Sequence, residues 1–187
     1  MMKLREGDNA LPYSIYPMRK ENITQVNEIG QEGDPSQQPP VNYDSELKNK
    51  PAHYIVACDD AEMIEKIVVG FAGIRVMAGV ALIINIVVRK CYQRQGIGEL
   101  LLISILDMAE KLKADIMTLE VRATNGAALS LYYKYGFKKV GIRRGYHMDN
   151  KEDGILMVVE GIDSASFKEH LQQLKQKALQ RMRVGLK

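Results

Sequence analysis

The sequence predicts an α+β domain in three layers, α/β/α, with helices on both faces of one sheet. Three stretches carry that prediction. Residues 67–77 and 80–88 are apolar and β-branched without clean alternation, the pattern of strands covered from both sides. Ala78-Gly79 between them reads as the tip of a hairpin. After the second run come Tyr92-Gln93-Arg94-Gln95-Gly96-Ile97-Gly98 and then a helical apolar period, so strand, glycine-bearing loop and helix follow one another. With 187 residues, 46% apolar and 26% charged, the chain can bury one core of ordinary size.

Taken in order, 1–11 has no periodicity and is expected to be a flexible lead-in to a domain over 12–162. Residues 13–18 read as a first strand, with Pro17 suiting an edge or a strand end. Asn22 or Thr24 could cap a short helix carrying Ile23, Val26 and Ile29. From Gly33 through Pro39-Pro40 glycine and proline break either period, so a loop is expected, with a second short helix over 44–49. Residues 54–58 are a short strand and Asp59-Asp60 begins a turn. Beyond Gly96 a helix should bury Ile97, Leu101, Ile105, Met108 and Leu112, leaving Glu99, Asp107, Glu110 and Lys111 on the opposite arc.

Residues 115–122 alternate, with Met117, Leu119 and Val121 on one face and Thr118, Glu120 and Arg122 on the other. Thr124 or Asn125 then caps a helix with the inner stripe Ala128, Leu131, Tyr132 and Tyr135, closed by Gly136. The last strands are 137–142 and 155–159, joined by a polar loop. The tail, 163–187, is a basic amphipathic helix: Ser166-Phe167-Lys168-Glu169 matches a capping box, and Phe167, Leu171, Leu174 and Ala178 form the stripe that packs it on the domain.

A net charge of +3 is too small to argue for direct nucleic-acid binding, though it suits a modestly anionic partner. Cys58 and Cys91 are the two cysteines, in no ligand-like spacing, and the three histidines, His53, His147 and His170, are scattered; no metal is expected. No leader or membrane span is read from the chain, which points to the cytoplasm.

The loop at Gly96 carries the chemistry. Its glycines let backbone N–H groups turn inward, and the positive end of the following helix favours an anion such as phosphate. A dinucleotide fold has the same Gly-x-Gly spacing, but it wants a third small residue where Leu101 stands and a first glycine directly off the strand. A P-loop needs a Gly-Lys-Ser/Thr that is absent.

Read with Asn85-Ile86-Val87-Val88, Leu119-Glu120-Val121-Arg122-Ala123-Thr124-Asn125, Leu131-Tyr132, Tyr135-Gly136-Phe137, Arg143-Arg144-Gly145-Tyr146 and Glu152-Asp153, the loop resembles that of the GCN5-related N-acetyltransferase (GNAT) superfamily. The likeness covers nearly all of 14–161, most specifically 85–137, and is nearest in pattern to the ribosomal-protein-alanine N-acetyltransferases. It implies a mixed, mostly antiparallel sheet splayed between the strand ending at Val88 and the strand carrying Glu120, with acetyl-CoA as co-substrate in that cleft. The pantetheine arm would pair with the backbone of Ile86, Val87 and Val88. The pyrophosphate would lie on the amides of Gln93, Arg94, Gln95, Gly96, Ile97 and Gly98, with Glu99 and Asn125 as further cofactor contacts.

The resemblance also implies roles in proton transfer. An amine attacks a thioester as the free base; deprotonation at pH 7 costs about 1 kcal/mol for an α-amine of pKa ~7.7–8.0 and roughly 4.6 kcal/mol for lysine. Glu120 matches the general base and is expected on the same side of the sheet as Gly96. Tyr132 matches the acid that protonates the departing thiolate. Tyr146, Glu152 and Asp153 match the acceptor side. The expected acceptor is a protein N-terminus, such as the alanine of a small-subunit ribosomal protein, for a monomer or weak dimer. A small amine acceptor, and a non-catalytic CoA-binding or ribosome-associated module, stay open. The chain departs from the pattern in Gly33-Asp34-Pro35-Ser36-Gln37-Gln38-Pro39-Pro40, which lacks an aromatic, in Arg89-Lys90-Cys91, and in His147 after Tyr146.

Overall fold

The hairpin at Ala78-Gly79 fixes the middle of the sheet. Both residues have positive φ, 50° and 80°, the two-residue turn whose twist matches the flanking strands. In the computed structural model, which describes residues 12–33, 41–60, 66–147 and 149–184, that turn joins two strands of a seven-stranded sheet. The elements in order are β1 (Tyr13–Pro17), α1 (Ile23–Gly33), α2 (Tyr43–Glu46), β2 (Ala52–Asp59), β3 (Ile67–Met77), β4 (Val80–Val88), α3 (Ile97–Lys111), β5 (Ile116–Arg122), α4 (Gly126–Lys134), β6 (Lys138–His147), β7 (Glu152–Val159) and α5 (Ala165–Val184). Single 3-10 turns precede α1, at Lys20–Asn22, and α3, at Lys90–Tyr92. The expected lead-in over 1–11 and the loop residues 34–40 lie outside the described residues.

The strand order is β1-β2-β3-β4-β5-β7-β6, antiparallel at every step except β4 to β5. The sheet is therefore mixed and mostly antiparallel, with helices on both faces. One core holds Val26 and Ile29 of α1 and Tyr43 of α2 against Tyr54, Val56, Val68 and Phe71. The larger core, on the other face, holds α3 against Ala72, Ile74, Ala81, Met117, Leu119 and Met157, and continues into Leu171, Leu174, Ala178 and Met182 of α5.

That second core corrects two expectations. The helix after the loop is apolar on more than one stripe: Leu100, Leu102, Ile103, Leu106 and Ala109 are buried beside Ile97, Leu101 and Ile105, whereas Leu112 is exposed. The reason is α5, which covers the arc opposite the sheet. It is tied there by Lys175 to Asp107 at 2.6 Å and Lys168 to Glu110 at 3.0 Å, so the outer-arc carboxylates are ion-pair partners. The cap of α5 is also earlier than the Ser166 box: Ser164 Oγ accepts from the Phe167 N–H at 3.2 Å. β6 runs to His147, five residues past the expected end, as an edge strand with Val140 and Ile142 exposed.

Gly73 is required by a close approach. A Cβ there would stand 2.2 Å from Tyr54 Cε1, and that ring is held edge-on to Tyr43, centroids 5.5 Å apart, with its hydroxyl donating to Glu46 Oε2 at 3.1 Å. Gly73→Val should therefore lower stability by about 1–3 kcal/mol. Urea unfolding should show it as a lower midpoint at unchanged slope; an unchanged midpoint would mean the Tyr54 ring yields freely.

Candidate active site

β4 and β5 pair at Val80↔Ile116, Ala81↔Met117 and Leu82↔Thr118 only, and part beyond. β4 is bent at the parting. Its register against β3 steps from Ile74↔Ile83 to Gly73↔Asn85, leaving Ile84 as the extra residue of a bulge. The bulge resets side-chain parity: Ile83, Ile86 and Val88 belong with the α3-side core, while Ile84 and Val87 pack toward α1. Beyond that point the two strands leave facing edges without a shared ladder, and Ile86 and Val88 turn their side chains to the α3 side.

The loop that follows is held at both ends. Arg89 reaches Glu28 at 3.2 Å and Glu32 at 3.4 Å, and the Lys90 N–H donates to Glu32 Oε2 at 3.1 Å, fastening its start to α1. Gln93 Nε2 donates to the Val88 carbonyl at 3.2 Å, and Gln95 Oε1 accepts from the Tyr13 hydroxyl. Arg94 and Gly96 take positive φ, 66° and 86°. Gly96 is the N-cap of α3 and has no side chain with which to cap it. The first-turn N–H groups of Ile97, Gly98 and Glu99 thus face outward at the positive end of a 15-residue helix, a ready anion site.

A cavity of about 800 Å³ opens against this loop, of a size that takes a cofactor-scale ligand. Its walls are Ile86 and Val88 from β4, the run Gln93, Arg94, Gln95, Gly96, Ile97, Gly98 and Glu99, then Asn125, Ala127, Ala128, Leu131 and Tyr132, with Tyr13 and Tyr92 at one side and Ala178, Arg181 and Met182 of α5 at the other. Asn125 is the N-cap of α4, its Oδ1 accepting from the Ala128 N–H at 3.1 Å. Tyr132 is 8% exposed and tilts against Phe137, centroids 5.6 Å apart. Burial pushes its phenol up to about 12, so it is a protonated donor at neutral pH.

Glu99 stands in the first turn of α3. Burial alone would raise its pKa, but hydrogen bonds from Lys134 and Tyr135, with the charges of Lys134 and Arg181, outweigh burial and lower it. The Tyr135 hydroxyl donates to Oε1 at 2.6 Å, and Arg181 Nη2 donates to both oxygens, at 3.1 and 2.9 Å.

Glu120 is on the other face. The alternation of β5 turns Met117, Leu119 and Val121 into the α3-side core and Glu120 away from it, so the expectation of Glu120 on the Gly96 side is corrected. Its Oε1 accepts from Arg143 Nη1 at 2.6 Å, and Oε2 is enclosed with no hydrogen-bond partner among the described residues. Tyr146 joins this cluster: its pKa is raised first by a hydrogen bond to Glu120 and then by burial, and Arg143 lies over its ring at 4.6 Å. Asn85 of β4 shares that face, its Nδ2 donating to Tyr43 OH at 3.5 Å and its enclosed Oδ1 unpartnered among the described residues. β5, which carries Glu120, parts from β4 at Thr118.

Glu152 and Asp153 are committed internally. Glu152 Oε1 accepts from the Thr124 N–H at 2.8 Å and hydroxyl at 2.6 Å, while Oε2 accepts from Arg122 at 3.4 Å and Asn150 at 3.3 Å. Asp153 Oδ1 accepts from the Gly145 N–H at 2.8 Å. They hold the turn into α4 and the bend in β6, and an incoming cation would have to compete with these partners. The structure thus gathers Ile86, Val88, residues 93–99, Asn125 and Tyr132 around one cavity, groups Glu120 with Tyr146 across the sheet, and turns the Val87 side chain away from the cavity, toward α1. Sequence reasoning missed Arg143 and the α5 wall; the apolar stripe of α5 continued to Met182, four residues past Ala178, which was the available signal. Among the described residues no group of three or more His, Cys, Asp or Glu is arranged to hold a metal, and no helix is long and apolar enough to cross a membrane.

Residues 18–137 match the model of the acetyltransferase (GNAT) family. A provisionally named [ribosomal protein bS18]-alanine N-acetyltransferase of Bacillus subtilis (strain 168) is 35% identical over 147 residues, 78% of this chain and 94% of that one. The [ribosomal protein bS18]-alanine N-acetyltransferase of Escherichia coli (strain K12) is 43% identical over 91 residues, 48% of this chain and 62% of that one. The crystal structure of the ribosomal-protein-S18-alanine N-acetyltransferase from Escherichia coli superposes with a TM-score of 0.67 at 29% identity, covering 80% of this chain and 94% of that one.

The Glu152 latch makes a pH prediction. Hydrogen bonds from the Thr124 hydroxyl and then its N–H hold the carboxyl down to about 2, below the ~4.3 of an unfolded chain. The stabilisation is complete above about pH 4.3 and is lost as pH falls toward about 2. Glu152→Gln should therefore show a flatter fall of Tm between about pH 5 and 2 than the wild type. Parallel acid limbs would remove Glu152 from the latch.

Proposed function

The chain belongs to the acetyltransferase (GNAT) family, and from that premise we propose that it acetylates the α-amine of a protein N-terminus, with the N-terminal alanine of a small-subunit ribosomal protein as acceptor. Acetyl-CoA is the acyl donor. The observation that carries the reading is the parting of β4 from β5, which sets an anion-binding loop and a phenol on one face and an enclosed carboxylate oxygen on the other. The likeness to two bS18-alanine N-acetyltransferases supports the choice of acceptor, and such an acceptor would be met in the cytoplasm.

On this reading the amides of residues 94–98 and the dipole of α3 hold the pyrophosphate, and the free backbone edge of Ile86, Val87 and Val88 pairs with the pantetheine amides. That places the thioester in the gap between the strands. The acceptor approaches from the Glu120 face, over Tyr146. Glu120 takes a proton from the ammonium, with Asn85 Oδ1 as a second acceptor for its N–H groups. The nitrogen lone pair forms the new N–C bond as the C–S bond breaks; the Tyr132 hydroxyl gives its proton to the departing sulfur, the second proton leaving the nitrogen restores the phenol, and Glu120 releases the first to solvent. A peptide α-amine asks for about 1 kcal/mol of deprotonation at pH 7, a small demand on a carboxylate acting directly or through a water; a lysine asks for roughly 4.6 kcal/mol. Glu152 and Asp153 serve the acceptor indirectly, by fixing the loops that flank Tyr146.

Tyr132→Phe should lower kcat strongly while leaving the Kd for acetyl-CoA unchanged, and Glu120→Gln should lower kcat by about 10²–10⁴-fold at pH 7. Thiol release with Ala-starting peptides, set against polyamines and aminoglycosides, reads both. Faster turnover of a small amine would overturn the protein acceptor, and tight cofactor binding with no thiol released by any amine would overturn catalysis.

A further inference from the structure

The last turns of α5 go further than packing requires. Leu171, Leu174 and Ala178 bury the helix on α3, and Lys175 pins it to Asp107 at 2.6 Å. The helix then continues over the phosphate-binding loop: a Cβ at Gly96 would stand 3.0 Å from Met182 Cγ, and Arg181 lines the same cavity as Gly96 and Gly98. The backbone of Arg181 is thus fixed beside the uncapped first turn of α3.

Its side chain is less committed. Arg181 is 60% exposed at the side chain, while its partner Glu99 is 12% exposed and is also held by Lys134 and by the Tyr135 hydroxyl at 2.6 Å. Glu99 therefore stays paired if Arg181 leaves. A carboxylate in the first turn of α3 works against an incoming phosphate, and a guanidinium that both neutralises it and can turn to a phosphate oxygen removes that conflict.

We propose that Arg181 is a cofactor-binding residue: the C-terminal helix supplies a cation that moves from Glu99 to a phosphate of the bound coenzyme. The inference rests on reading the cavity as an acetyl-CoA site. It assigns the basic end of α5 a ligand, the phosphorylated end of the coenzyme, and makes this helix part of the site although it lies outside the family-matched residues 18–137.

Calorimetry on the full chain tests it, with CoA and 3′-dephospho-CoA as probes. Arg181→Gln should weaken CoA about tenfold, the size expected for a charge-assisted hydrogen bond, and Arg181→Lys should recover part of that. Arg183→Gln, on the same helix, should stay within about twofold of wild type, which separates a ligand contact from a general loss of positive charge. In turnover, Arg181→Gln should raise KM for acetyl-CoA at unchanged kcat. Loss of the effect with 3′-dephospho-CoA assigns the contact to the 3′-phosphate; its persistence assigns it to the pyrophosphate. CoA binding by Arg181→Gln equal to or tighter than wild type overturns the inference alone. Absence of binding by the wild type overturns the acetyl-CoA reading and this inference together.

Discussion

Past Leu82 and Thr118, β4 and β5 have no hydrogen bonds to each other, and each leaves a backbone edge facing a gap inside the domain. Buried peptide groups without partners cost about 1–3 kcal/mol each, so a fold keeps such edges only when neighbours hold the strands apart. Here β4 is secured by β3 and β5 by β7, both antiparallel ladders that run well past the parting. The bulge at Ile84 turns β4 away while keeping Ile86 and Val88 directed at the α3 side. The loop from Arg89 to Gly96 is then delivered to the mouth of the gap, tied to α1 at one end and continuous with α3 at the other.

Charge organises the same place. α3 brings a positive terminus with no side-chain cap, and Glu99 is planted in its first turn, which is favourable for the helix and unfavourable for a second anion. Lys134 from α4, Tyr135 just beyond it and Arg181 from α5 converge on that carboxylate. The end of α4 and the end of α5, distant in sequence, are thereby drawn to one residue of α3, and both helices contribute to the cavity wall. On the opposite face Arg143 and Tyr146 do the corresponding work at Glu120, holding one of its oxygens and leaving the other enclosed.

Much of this was legible in the residues. The β3–β4 hairpin is legible because two apolar runs stop at Ala78-Gly79, where positive φ is needed. The alternation of β5 was equally plain. What alternation cannot say is which face carries α3, so it does not decide that Glu120 lies across the sheet from Gly96. The bulge was invisible because Leu82, Ile83 and Ile84 are all apolar, leaving no period to interrupt. The far half of β6 is not legible because Arg143-Arg144-Gly145 has no hydrophobic face; an edge strand needs none. The stripe of α5 was readable, but a stripe does not name its partner. The buried breadth of α3 and the reach of Arg181 into the cavity are tertiary facts, set by where α5 lands.

The central claim is that the parted edge of β4 and the uncapped start of α3 hold one ligand together. Hydrogen exchange of the backbone amides, followed with and without acetyl-CoA, measures this most directly. Slower exchange at Ile86 to Val88 and across residues 94–99, with the β2–β3 ladder unchanged, is the predicted result. Protection confined to any other part of the sheet, or none at all at saturating acetyl-CoA, would contradict it.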